Sequence, residues 1–244
     1  MNIILYTIEG IAIGFLTGIV AALFGVGGGV LAIPMMIFLL NVPPAIAVGT
    51  NSVIIIVTTL MSAYFHFRQG TLRKEGIYLG LGGVIGTFIG NELFFLAAST
   101  GIMKKILGIL FIVVGIMTLL PRKTGKGKKL SKSALFVIGI FIGTFAALMG
   151  MSGGMWLNPT LVLLGMDIKE AIGTSVAALP LITIFSAIPK ILAGYVDWIL
   201  ALTFIPGIIF GTRLGAKIMK GSSSKALKYA FVAFTIGVGI KLLI

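Results

Sequence analysis

The chain is 244 residues long, 58% hydrophobic and only 10% charged, with a mean hydropathy of +1.17. A soluble domain of that composition would expose far more apolar surface than water tolerates, so the composition points to an integral membrane protein. A surplus of 19 basic over 6 acidic residues (net charge +13) is read as cytoplasmic loops obeying the positive-inside rule in preference to nucleic-acid or specific lipid binding, while the lack of cysteine excludes disulfides, thiolate metal sites and thiol catalysis.

No Asp, Glu, Lys or Arg occurs from Ile11 to Phe67, a stretch too long for one crossing. The apolar runs are continuous rather than alternating, so the expected fold class is an all-α membrane protein. The first span is expected at Ile3–Phe24; no basic region precedes it, so no cleaved signal peptide is expected. Spans follow at Ala45–Phe67, Gly76–Ala97 and Lys104–Leu120, then at Ala134–Met149, Glu170–Leu192, Trp198–Met219 and Lys225–Leu243. That makes eight long helices, four per half. Two further apolar segments, Val30–Leu40 and Met155–Gly165, have 11 residues each and are too short to cross as helices. They are expected to be broken or re-entrant.

The chain is written twice. Gly14, Gly18, Ala21, Ala22, Leu23, Gly25, Gly28, Gly29 and Pro34 recur at constant spacing as Gly139, Gly143, Ala146, Ala147, Leu148, Gly150, Gly153, Gly154 and Pro159. After a one-residue slip, Ala47, Gly49 and Thr50 face Ala171, Gly173 and Thr174. Residues 1–120 and 134–244 therefore form two homologous transmembrane repeats, joined by a basic linker at 121–133. That linker holds six basic residues from Arg122 to Lys132 and no acid, as a cytoplasmic loop would. With the linker inside, parallel halves would leave eight of the 19 basic residues outside, whereas inverted halves leave only Lys104, Lys105, Lys190 and Lys241. Inverted repeats, with both termini outside, are expected.

A helix broken inside hydrocarbon exposes N–H and C=O groups that cost several kcal/mol each unless something satisfies them. A chain that breaks two helices at equivalent places has a use for the breaks. Gly25, Gly27, Gly28 and Gly29, and Gly150, Ser152, Gly153 and Gly154, permit unusual backbone angles and a close approach to a ligand. Each following helix start offers unpaired N–H groups suited to an anion. Thr50, Asn51, Thr174 and Ser175 stand in the first turns of apolar spans, where they cap helices or donate to an oxyanion. The glycines spaced by three or four, among them Gly14, Gly18, Gly83, Gly86, Gly90, Gly139 and Gly143, are expected to serve close helix packing instead.

The two glycine clusters with Pro34 and Pro159, followed by Ala47–Asn51 and Ala171–Ser175, make the chain resemble, over nearly its whole length, the TauE/SafE family of sulfite and organosulfur-anion exporters. The resemblance implies transport of small anions such as sulfite, sulfonates or thiosulfate, gripped between the repeats. The second copy departs from the first with Ser152 for Gly27 and Asn158 for Ile33, which makes the two sides of the site chemically unequal. His66, Arg68 and Lys190 are candidates for gating or coupling. The expected function is thus a secondary transporter in the cell membrane working by alternating access. Its partners would be a small anion and the lipid bilayer, with a homodimer open, and with no cofactor, metal or catalytic residue. The same broken helices lining a continuous pore would make an anion channel. A membrane-embedded enzyme is the more distant alternative, because the spans lack a His/Asp/Glu cluster and an HExxH motif.

Overall fold

The computed structural model describes residues 3–24, 29–119, 129–219 and 224–244. Among them the chain forms ten helices and no strand: α1 (Ile3–Phe24), α2 (Gly29–Phe38), α3 (Pro44–Arg68), α4 (Gly76–Ser99), α5 (Met103–Leu119), α6 (Lys132–Met149), α7 (Gly154–Leu163), α8 (Ile168–Leu192), α9 (Trp198–Met219) and α10 (Ser224–Leu243). Their starts have local causes. Pro44 opens α3, where its missing N–H is no loss. The Ser131 hydroxyl accepts from Ala134 N–H at 3.1 Å to cap α6, and the Asp167 carboxylate accepts from Lys169 N–H at 2.9 Å to cap α8.

Among the described residues six helices, α1, α3, α4, α6, α8 and α9, are long and apolar enough to cross a membrane, which makes this a multi-pass membrane protein. The short elements α2 and α7 have 10 residues each, as expected of segments that cannot span. Exposure is inverted relative to a water-soluble fold. Ile4, Leu5, Ile8, Phe88, Leu96, Leu202 and Phe210 face outward, while Thr17, Thr59, Thr87, Asn91, Thr183 and Ser186 are buried. Lipid is as apolar as leucine, so such helices associate through close packing and hydrogen bonds rather than through the hydrophobic effect.

The chain folds into two compact units, and each interleaves the halves: 1–51, 95–121 and 196–244 in one, 52–94 and 122–195 in the other. In the first unit α1 runs alongside α9 in the same direction. A Cβ on Gly14 or Gly18 would overlap the backbone of Phe204 or Ile208, and one on Gly207 or Gly211 would overlap that of Ile11 or Phe15. In the second unit α6 runs alongside α4, with Gly139 and Gly143 on Leu79 and Gly83, and Gly82 and Gly86 on Phe136 and Ile140. These are the same four contacts moved along the chain by 125 residues, plus or minus. Here the spaced glycines serve backbone approach, as expected. α5 and α10 pack in the first unit, where Gly108 meets Gly239.

Within the second unit α3 and α8 run antiparallel. The hydroxyls of Thr59 and Thr183 hydrogen-bond at 2.9 Å, and beyond the end of α3 Arg73 N–H reaches Gly173 O at 3.3 Å. Thr59 and Thr183 are separated by the same 124 residues that separate Gly49 from Gly173. Arg73 also pairs with Glu170 in the first turn of α8 at 3.5 Å.

Candidate functional site

The second glycine cluster breaks a helix. α6 stops at Met149 because Gly150 enters left-handed backbone (φ 63°, ψ 29°) and turns its N–H onto the carbonyls of Ala146 and Ala147. Met151 N–H also reaches Ala146 O, at 3.1 Å, so the turn itself satisfies the end of α6. Gly153 is left-handed again (φ 74°), and Gly154 opens α7. Any side chain at Gly150 or Gly153 would strain the backbone. Trp156, in the first turn of α7, stacks on Phe145, one turn before the end of α6 (centroids 6.1 Å apart, planes at 21°). The chain therefore doubles back on itself.

The depth of the break follows from its neighbour in α8. A Cβ on Gly154 would touch Leu179, which lies near the middle of the 25-residue α8. At 1.5 Å per residue that is about 17 Å from the start of a helix long enough to cross. Below this level α7 and α8 are joined by polar groups: Ser175 Oγ donates to Asn158 Oδ1 and also approaches Ile172 O at 2.9 Å. An amide oxygen occupied by Ser175 leaves the two N–H donors of Asn158 on the side away from it. Ser152, Thr174 and Ser175 are all buried. The second unit thus sets Gly150, Ser152, Gly153 and Gly154 in the break and ties Asn158, one turn into α7, to Ser175 of α8, while the Thr174 carbonyl lies against Gly76. Helix-start N–H groups, hydroxyls and an amide are donor groups of the kind that anions take.

In the first unit, Gly25, Gly27 and Gly28 lie outside the described residues. Gly29 opens α2 and is buried, and Thr50 and Asn51 are buried in α3. Thr50 Oγ1 accepts from Asp197 N–H at 2.9 Å, so this hydroxyl anchors the start of α9. The Asp197 carboxylate accepts from Leu200 N–H at 3.0 Å and from the Tyr6 hydroxyl at 2.7 Å. Neither Asp197 nor Tyr6 was among the expected site residues. An acid one residue ahead of an apolar span is a helix-start signal that marks Asp197, whereas nothing local marks Tyr6. The repeat equivalents of Asn158 and Ser175 are Ile33 and Asn51, so each half keeps one amide, on α7 in one and on α3 in the other.

The three gating candidates do not come together. His66 is partly exposed, with Nδ1 2.8 Å from Thr71 Oγ1, and Arg68 is exposed beside it. The Thr71 carbonyl lies where a Cβ of Gly173 would fall, near the start of α8, whereas Lys190 lies in the last turn of α8, about 25 Å along the axis. Lys190 is fully buried; its Nζ donates to Asn91 Oδ1 at 2.6 Å and to Ser186 O at 2.8 Å.

The family described as sulfite exporter TauE/SafE matches residues 10–242. A probable membrane transporter protein of Methanocaldococcus jannaschii is 28% identical over 89% of this chain and 88% of its own length. The probable membrane transporter protein YunE of Bacillus subtilis is 26% identical over 96% of both chains, and a probable membrane transporter protein of Haemophilus influenzae is 28% identical over 94% of this chain and 95% of its own. No solved structure matches. With the match running through both glycine clusters and almost from end to end, the chain belongs to the sulfite exporter TauE/SafE family.

Proposed function

We propose that the protein is a secondary membrane transporter of small anions, most closely of the sulfite, sulfonate or thiosulfate class, and that it works by alternating access between two inverted repeats. The observation that carries this reading is the helix break at Gly150–Gly154, half-way along α8, with Ser152 in it and Asn158, one turn on, bonded to Ser175 of α8. A break at that depth, lined by donors, suits an anion that must leave water for the middle of the bilayer. Family membership and the transporter names of the relatives support the class.

Inversion has its own support. α3 and α8 occupy equivalent places in the two halves, run antiparallel, and hydrogen-bond through the equivalent residues Thr59 and Thr183. Self-matching contacts of this kind arise where a twofold axis passes between two copies. Eight long helices, with each short segment returning the chain so that both termini lie outside, are part of the same reading, α5 and α10 joining the six spans named above. On this view Gly25–Gly29, Thr50 and Asn51 are the first repeat's equivalents of Gly150–Gly154, Thr174 and Ser175.

The test is thermal stability of the detergent-purified protein against sulfite, sulfate, thiosulfate, sulfoacetate, taurine and chloride at matched ionic strength. Selective stabilisation by one or more sulfur oxyanions is expected, and loss of that selectivity in Gly153→Leu. Equal response to every salt would remove the selective site.

A further inference from the structure

Lys190 stands two residues from the end of α8, where a lysine ordinarily extends to the headgroups. Here the side chain bends back along the helix and is fully buried. Its ammonium meets three acceptors, Asn91 Oδ1 at 2.6 Å, Ser186 O at 2.8 Å and Ser186 Oγ at 3.3 Å, and lies 4.9 Å from the Phe94 ring. The acceptors are positioned by the local sequence. Pro189 has no N–H, so the carbonyl of Phe185 loses its helical partner, and Asn91 Nδ2 fills that place at 3.3 Å. This fixes the amide with its oxygen toward Lys190. Three acceptors around a group with three protons match the charged form.

None of those acceptors is an anion. The six carboxylates of the chain are engaged or placed elsewhere: Asp197 with Tyr6, Glu170 with Arg73, Asp167 on its own helix start, Glu75 and Glu92 exposed, and Glu9 partly exposed on α1. A buried ammonium without a carboxylate is costly, and within membranes such charges mark ion pathways. From Leu179, beside the helix break, Lys190 is about 17 Å further along α8. Its protons are all used, so it acts at a distance rather than as a ligand.

We propose that Lys190 is the fixed positive charge that selects and draws the transported anion toward the C-terminal end of α8. Asn91 is the positioning residue that holds the charge inside. This rests on the anion-transport reading above. Lys190 would then favour a dianion more than a monoanion, because a field acts in proportion to charge.

The experiment measures uptake of methanesulfonate and of thiosulfate at sub-saturating concentration into proteoliposomes. It compares the wild-type protein with Lys190→Arg, Lys190→Gln and the double variant Lys190→Met with Asn91→Leu, which removes the charge together with its acceptor and so guards against misfolding. Losing the charge is expected to slow methanesulfonate about fivefold and thiosulfate about 25-fold, with Lys190→Arg near wild type. Wild-type rates in either charge-removing variant, or equal losses for both anions, would overturn the assignment and leave Lys190 a structural residue. Absence of uptake of both anions by the wild-type protein would sink the transport reading and this assignment with it.

Discussion

At the scale of single residues, the polar groups inside this protein hold helices together. Asn158 and Ser175 bind each other across α7 and α8. Removing one partner strands the other, so Ser175→Ala should lower stability by about 1–2 kcal/mol, read from chemical unfolding in detergent, and should weaken anion-dependent stabilisation as well. Asn91 and Lys190 make a sharper case. Asn91→Leu alone leaves a buried charge short of an acceptor and should cost about 3 kcal/mol, whereas adding Lys190→Met should recover part of that loss. Additive effects in that double-mutant cycle would mean the two side chains do not depend on each other. The sequence treats His66 and Lys190 alike, as equivalent basic residues at the ends of equivalent spans. Only the packing of α4 against α8 separates them, burying Lys190 beside Asn91 while His66 stays partly exposed against Thr71. Tyr6 was illegible for the same reason, because its partner Asp197 is 191 positions away.

At the scale of helices, most of the design was legible. Charges, prolines and glycine turns punctuate long apolar runs, and the observed helices start and stop within three residues of the expected bounds for the long spans. Glycines spaced by three or four announce close packing, but they do not say which helix approaches. That requires the fold, where α1 takes α9 and α6 takes α4, each pair drawn from both halves. Because the two pairs use equivalent residues, they should respond alike. Gly86→Val and Gly211→Val would each push a methyl into the backbone of the facing helix, at Ile140 and Phe15, and each should destabilise by about 1–3 kcal/mol. A loss at one site alone, measured by thermal unfolding, would show that the pairs carry different loads. Gly150 and Gly153 work by conformation instead. Replacement of Gly150 by alanine should cost about 1 kcal/mol through the left-handed backbone, in a protein still able to fold.

At the scale of the whole molecule, the central claim is that a broken-helix site handles anions by turns, facing one side of the membrane and then the other. The absence of native cysteine offers a clean background for topology. Single cysteines introduced in the basic linker should react with a membrane-impermeant maleimide only from the inside, and cysteines near either end of the chain only from the outside. Termini labelled from opposite sides would contradict inverted repeats of this form. The most direct measurement of function is counterflow in proteoliposomes preloaded with unlabelled sulfite or thiosulfate. The account predicts saturable uptake of the labelled anion, accelerated by the same anion on the far side, little affected by chloride and lost in Gly153→Leu. Flux that does not saturate, or that carries chloride equally well, would contradict alternating access and identify an open pore instead.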